Sequence, residues 1–239
     1  IVRSLKMCKN GCLFFVTEDF MNKIKSLSGY FTKGEILLWS LSAATITVSF
    51  FIFSSGGVLT LAASLVGVTS LIFNAKGNPF GQCLMIVFSL MYGIISYTFA
   101  YYGEMLTYLG MTMPMAAFAL VAWLKNPYNG NRAEVKINHI KRKETVWMWV
   151  AAAAVTVGFY FILTAFNTAN IIPSTISVTT SFVAVYLTFR RSPYFAVGYA
   201  ANDIVLIILW TMAAFSDKSY ISVVICFAAF LANDIYGFI

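Results

Sequence analysis

The sequence predicts an all-α polytopic membrane protein, and three observations predict it. Hydrophobic residues make up 60% of the 239 and charged residues only 10%, against about 45–50% and about 25% in a soluble domain. Eight apolar runs follow one another, at 36–53, 58–73, 80–102, 107–124, 146–165, 175–189, 194–215 and 220–239. They are continuous rather than alternating, so of the two structures that satisfy every backbone group in lipid they suit helices and not barrel strands. The basic residues then fall on alternate connections, as the positive-inside rule requires of a correct span count.

Of the 16 Lys and Arg, all but Lys218 lie in the N-terminal segment, at Lys76, within 125–143, or at Arg190 and Arg191. The opposite connections are "SSGG" (54–57), "GEM" (103–105), "NTAN" (167–170) and "SDKS" (216–219). Both termini are therefore expected in the cytoplasm. The net charge of +7 reads as a topology signal and a contact with lipid headgroups, not as a footprint for nucleic acid.

Taken in order, residues 1–34 are too polar to span. Phe20, Ile24, Leu27 and Phe31 recur at i, i+4, i+7 and i+11, which predicts an amphipathic helix lying on the inner leaflet. Residues 35–54 form one extra transmembrane helix. Three helices follow over 58–124, then a basic loop and a linker helix over 125–165, then three more helices over 175–239. The two triplets carry matching marks. "AKGNPF" (75–80) and "FRRSPY" (189–194) are short basic turns, and each has a proline followed by an aromatic. Proline suits the first turn of a helix, where its missing N–H is not needed. Further on, "YTFAYYGE" (97–104) matches "WTMAAFSD" (210–217), with Tyr97 standing where Trp210 does and Glu104 opposite Asp217. A single intervening helix keeps the two triplets parallel, a 3+1+3 arrangement. Parallel repeats with a substrate site near the midplane are a transporter signature, known from the sugar-carrying SWEET proteins.

The candidate site follows from polar residues inside these runs. "ANDI" occurs twice, at 201–204 and 232–235. Asn202 and Asp203 fall near the middle of their span, where a charge costs about 2.5–3.5 kcal/mol. Such a carboxylate is expected to face the bundle interior. Tyr199, Asp203, Leu206 and Trp210 form one helical stripe, so the carboxylate has aromatics above and below it. Asn233 and Asp234 repeat the pair in the last run. The first triplet offers Gln82, Ser89, Tyr92 and Tyr97. Thr179, Thr180 and Ser181 are mid-span hydroxyls better suited to packing. Trp123, Trp147 and Trp149 read as interfacial belt residues. Polar side chains of this kind also tie helices together, and that reading stands beside the functional one for both Asn.

Several classes are excluded. There is no phosphate-binding GxxxxGK[ST] and no HExxH, and the sole His, His139, lies in the basic loop. No enzyme, metal site or cofactor is expected. Cys8 and Cys12 alone do not make a metal site.

The 3+1+3 order, the Asn of "AANDI" and the Asn of "LANDIYG" resemble the PnuC vitamin transporters over 58–239. One departure is that Phe88 and Ser89 stand where a further Asn is expected in the third run. The resemblance implies facilitated diffusion of nicotinamide riboside across the bacterial inner membrane, with trapping by a cytoplasmic kinase. On that reading Trp210 or Tyr97 stacks on the cationic pyridinium, Asp203 balances its charge, and Asn202, Asn233 and Gln82 suit the carboxamide or ribose. Thiamine, riboflavin or a sugar on the same architecture, proton coupling through Asp203, and a non-transporting scaffold or receptor are the alternatives. The oligomeric state stays open, a homo-oligomer included.

Overall fold

The computed structural model describes residues 29–53, 57–98, 101–168 and 170–239. The amphipathic segment expected over 1–34, and Cys8 and Cys12, lie largely outside the described residues. The chain divides into two units, Ile1–Leu38 and Trp39–Ile239. The first holds only the start of helix α1 (Lys33–Phe53), which begins at a capping box written in "TKGE". The Thr32 N–H donates to Glu35 Oε2 at 2.7 Å, and the Glu35 N–H donates to Thr32 Oγ1 at 3.2 Å. Two of the orphan amides at the helix start are thereby satisfied.

The remaining elements are α2 (Val58–Ala75), α3 (Pro79–Thr98), α4 (Tyr102–Leu124), a hairpin β1 (Pro127–Tyr128) and β2 (Asn131–Val135), α5 (Arg142–Ala165), α6 (Ile171–Phe189), α7 (Phe195–Ala214) and α8 (Ile221–Phe238). Eight helices, among the described residues, are long and apolar enough to cross a membrane. They match the eight apolar runs one for one.

Six of them close into a ring. α2 packs on α3, α3 on α4, α4 on α6, α6 on α7, α7 on α8, and α8 returns to α2. α5 packs on the outside of α6, where Thr156 and Thr179 share a hydroxyl hydrogen bond of 2.7 Å. α1 is tied to α2 and α8 through Trp39 Nε1 donating to Thr69 Oγ1 at 3.1 Å and Asn233 Nδ2 donating to Ser42 Oγ at 2.9 Å. Large apolar residues of α1 and α5, such as Leu41, Phe51, Trp147 and Phe161, remain exposed. In a bilayer their surroundings are lipid tails, as apolar as a core.

Close approach inside the ring depends on small residues. A Cβ on Gly198 would sit 2.9 Å from the Ala184 backbone, and one on Gly67 would sit 2.4 Å from the Phe230 ring. These two positions let α7 reach α6 and α2 reach α8.

α4 carries a turn of π-helix at Tyr108–Thr112. Pro114 explains it: proline inside a helix has no N–H to give and its ring clashes with the carbonyl of residue i−4, here Gly110. The extra residue of a π turn relieves that clash and turns Tyr108, Met111 and Thr112 inward together.

The basic loop is not featureless. Asn129 and Gly130, both at positive φ (48° and 80°), form the tight turn of the hairpin, as an Asn-Gly pair between extended residues commonly does. This two-stranded sheet is an addition to the all-α expectation. Beyond it the chain straps two helical turns together. The Val135 N–H donates to Gly77 O, and the Asn138 N–H donates to Arg191 O, each at 3.0 Å. Asn138 Nδ2 adds a bond to Arg190 O at 3.1 Å. Glu144, in the first turn of α5, pairs with both arms of the Arg190 guanidinium and accepts from the Tyr186 hydroxyl.

Candidate functional site: a carboxyl pair inside the ring

The ring encloses a cavity of about 30 Å³, room for roughly one or two water molecules. Asn202 and Asp203 of α7 and Asp234 of α8 line it, with Ser181 of α6 and Tyr108 and Thr112 of the π turn. Phe88, Phe227, Phe230 and Tyr199 supply the aromatic walls. Helical geometry accounts for the grouping on α8, where Phe227, Phe230 and Asp234 recur at i, i+3 and i+7.

Asp203 and Asp234 are neighbours within hydrogen-bonding reach of one another. Oδ2 of Asp203 finds no donor among the described residues. Among the described residues, no Lys, Arg or His lines the cavity. Two carboxyls this close in apolar surroundings need a shared proton or a cation between them.

Asn202 points a different way from its neighbour. Its Oδ1 accepts from Thr180 Oγ1 and Ser181 Oγ, each at 2.8 Å. That fork bolts α7 to α6 at the cavity edge. The structure therefore gives Asn202 a packing role at the site, with its side chain still on the cavity wall.

Trp210 is buried one helical stripe above Asp203, as the spacing predicts, but within an aromatic column rather than on the cavity. Its ring centroid lies 4.8 Å from Tyr101, 5.4 Å from Tyr220 and 6.4 Å from Tyr92. Tyr92 continues the column to Tyr108 at 4.4 Å and Phe88 at 5.5 Å. Ser89 is buried, and its hydroxyl finds no partner among the described residues.

Four expectations are corrected. Tyr97 is 61% exposed and packs on Tyr102; the ring that meets Trp210 is Tyr101. α3 ends at Thr98 and the chain restarts as α4 at Tyr102, so the register that pairs Tyr97 with Trp210 does not survive in space. Gln82 is fully buried but bonds Asn74 through Nε2 to Oδ1 at 2.8 Å, away from the cavity. Asn233 turns its amide to Ser42 and to Ala229 O instead of toward the carboxyl pair. Trp123 is not a belt residue: it is 1% exposed and its Nε1 donates to Thr188 O at 2.9 Å.

Glu104 is the residue sequence reasoning misplaced. Read as part of the connection "GEM", it lies instead in the first turn of α4, only 2% exposed. Ser177 Oγ of α6 donates to its Oε1 at 3.1 Å, while Oε2 finds no donor among the described residues. The signal was available, because an acidic residue directly before a long apolar run is favoured at a helix N-terminus.

A second cavity, about 420 Å³, opens at the end of the bundle that carries the basic loop. Glu134, Val135 and Ile137 of the strap cover it, and Trp123, Arg191 and Phe238 form its walls.

A carboxyl pair inside a ring of helices long and apolar enough to cross a membrane is the arrangement of a multi-pass membrane carrier. It is not the arrangement of an enzyme. The family model described as "nicotinamide mononucleotide transporter" matches residues 57–239, and the chain belongs to that family. It is similar to the nicotinamide riboside transporter PnuC of Neisseria mucosa, at 27% identity over 222 residues that cover 90% of this chain and 83% of that protein. Its fold is that of the crystal structure of the vitamin B3 transporter PnuC. The TM-score is 0.77 at 24% identity, with 89% of this chain and 92% of that chain covered.

Proposed function

We propose that this chain carries nicotinamide riboside across the bacterial inner membrane by facilitated diffusion. The observation that carries the proposal is the central cavity, which two carboxyls line and which, among the described residues, no basic side chain enters. A mononucleotide would bring its phosphate toward Asp203 and Asp234 with no cation to receive it. The riboside brings only a positive pyridinium ring, a carboxamide and ribose hydroxyls. The carboxyl pair balances the ring's charge, and Tyr108 and Phe88 on the cavity wall, with Trp210 in the adjoining column, offer aromatic faces for a flat cation.

A cavity of about 30 Å³ is far below the roughly 300–1,000 Å³ of a typical small-molecule pocket. Loading therefore requires the ring to part. Parallel triplets, α2–α4 and α6–α8, supply two bodies that rock against each other. The basic end faces the cytoplasm by the positive-inside rule, which puts both termini there and makes the larger cavity the inner vestibule. Release into the cytoplasm is made irreversible by a kinase that phosphorylates the riboside, so no ion gradient is required.

The test is uptake into proteoliposomes and calorimetric titration, with nicotinamide riboside, its mononucleotide, thiamine, riboflavin and glucose offered in parallel. Binding and transport of the riboside alone, unaffected by collapsing the proton gradient, is the expected result. Transport of the mononucleotide in preference to the riboside overturns the assignment, and uptake that stops with the gradient overturns facilitated diffusion.

A further inference from the structure

We propose that Glu104 is a second recognition carboxylate on the substrate path, a specificity-determining residue that selects for positive charge before the substrate reaches Asp203 and Asp234. This rests on the reading of the chain as a carrier of a cationic nucleoside.

Glu104 lies at the end of the ring opposite the basic loop, at the start of α4, where that helix faces α6. A buried carboxylate there is costly, and one serine hydroxyl on Oε1 does not complete it. Oε2 has no donor among the described residues. Tyr108 stands one helical turn beyond Glu104 in the same helix and lines the cavity together with Asp203. Tyr108 thus stands in reach of both acidic sites.

The aromatic column links the same places. From the half-buried Tyr101 and Tyr220 it passes Trp210 and Tyr92 to Tyr108 on the cavity wall. A column of tilted and edge-on rings with a carboxylate alongside forms a path for a flat organic cation. An uncharged ring of the same shape would gain the stacking but not the charge. The discrimination at Glu104 is therefore between charge states of the ring, not between sizes.

The test compares nicotinamide riboside with its reduced 1,4-dihydro form, whose ring has nearly the same outline and no charge. Uptake of both by proteoliposomes is measured for wild type, Glu104→Gln, Glu104→Ser, Glu104→Asp and Ser177→Ala. The expected result is that the two neutral variants raise KM for the cation, so that its preference over the dihydro form falls about tenfold. Uptake of the dihydro form is retained and reports that the variants are folded. Glu104→Asp keeps the preference, and Ser177→Ala leaves it unchanged. An unaltered preference in Glu104→Gln and Glu104→Ser overturns the proposal. So does the same loss of preference in Ser177→Ala, because the pair would then act as a helix tie. Absence of riboside transport by the wild type overturns the carrier reading itself, a distinct failure.

Discussion

The two three-helix segments, α2–α4 and α6–α8, end their first helices alike and differ in what they place inside the ring. The turns after α2 and α6 are built alike. Gly77 N–H bonds Asn74 O and Asn78 N–H bonds Phe73 O; 114 positions on, Arg191 bonds Thr188 O and Ser192 bonds Leu187 O. Gly77 and Arg191 both hold positive φ, 64° and 59°. This is the left-handed cap that ends many helices, and Asn167 ends α5 in the same way. Only the two matched turns, however, go on to a proline two residues later and give a carbonyl to the strap. Inside the ring the likeness stops. Ser181 and Asn202 hydrogen-bond across α6 and α7, whereas their counterparts Gly67 and Phe88 pack small against aromatic. Ser89 stands opposite Asp203. The two turns are alike, while the carboxyls that line the cavity, Asp203 and Asp234, both belong to the second segment.

That contrast can be broken at graded points. Asp203→Asn removes the charge that has no counterpart in the first segment. We expect nicotinamide riboside affinity to fall about 100-fold, roughly 3 kcal/mol, in calorimetry on protein that remains folded. Gly67→Ala attacks the packed half, since its Cβ would meet the Phe230 ring at 2.4 Å. Overpacking of this kind costs about 1–3 kcal/mol and should lower the thermal midpoint in detergent.

A milder asymmetry lies in the turns. Gly77→Ala should cost about 1 kcal/mol, because a side chain is forced into left-handed backbone and toward Val135 Cγ1 at 3.2 Å. Arg191→Gly relieves the same strain in the other turn, so its thermal midpoint should stay near wild type. The smallest effect belongs to Tyr97→Ala. An exposed ring away from the cavity should leave affinity within about 0.5 kcal/mol, whereas a tenfold or larger loss would restore the sequence register that pairs Tyr97 with Trp210.

The eight spans and the carboxyl at Asp203 were legible because a bilayer demands long apolar runs and makes an exception expensive. Rotation about each helix axis was not legible. Lipid-facing and ring-facing positions are both apolar, so hydropathy cannot say that Tyr97 looks outward, that Trp123 is buried, or that Asn233 turns to Ser42 instead of the cavity. Local breaks were hidden for a related reason. The end of α3 at Thr98 and the restart at Tyr102 fall within aromatic residues that read as one continuous run, and this concealed Glu104. Pro114 and the Asn129–Gly130 pair did carry signals, for the π turn and for the hairpin, in the language of backbone geometry and not of hydropathy.

The strap between the two matched turns also sets a length. Val135 holds the carbonyl of Gly77 and Asn138 holds that of Arg191, three residue steps apart. Fully stretched, such a tether reaches about 10 Å between its Cα atoms. The two turns can separate only until it is taut, and wider parting of that end requires one of the two N–H···O hydrogen bonds to let go. No such tether joins the opposite end among the described residues. The carrier thus has a leash at one mouth, and the energy needed to slip it is added to opening on that side alone.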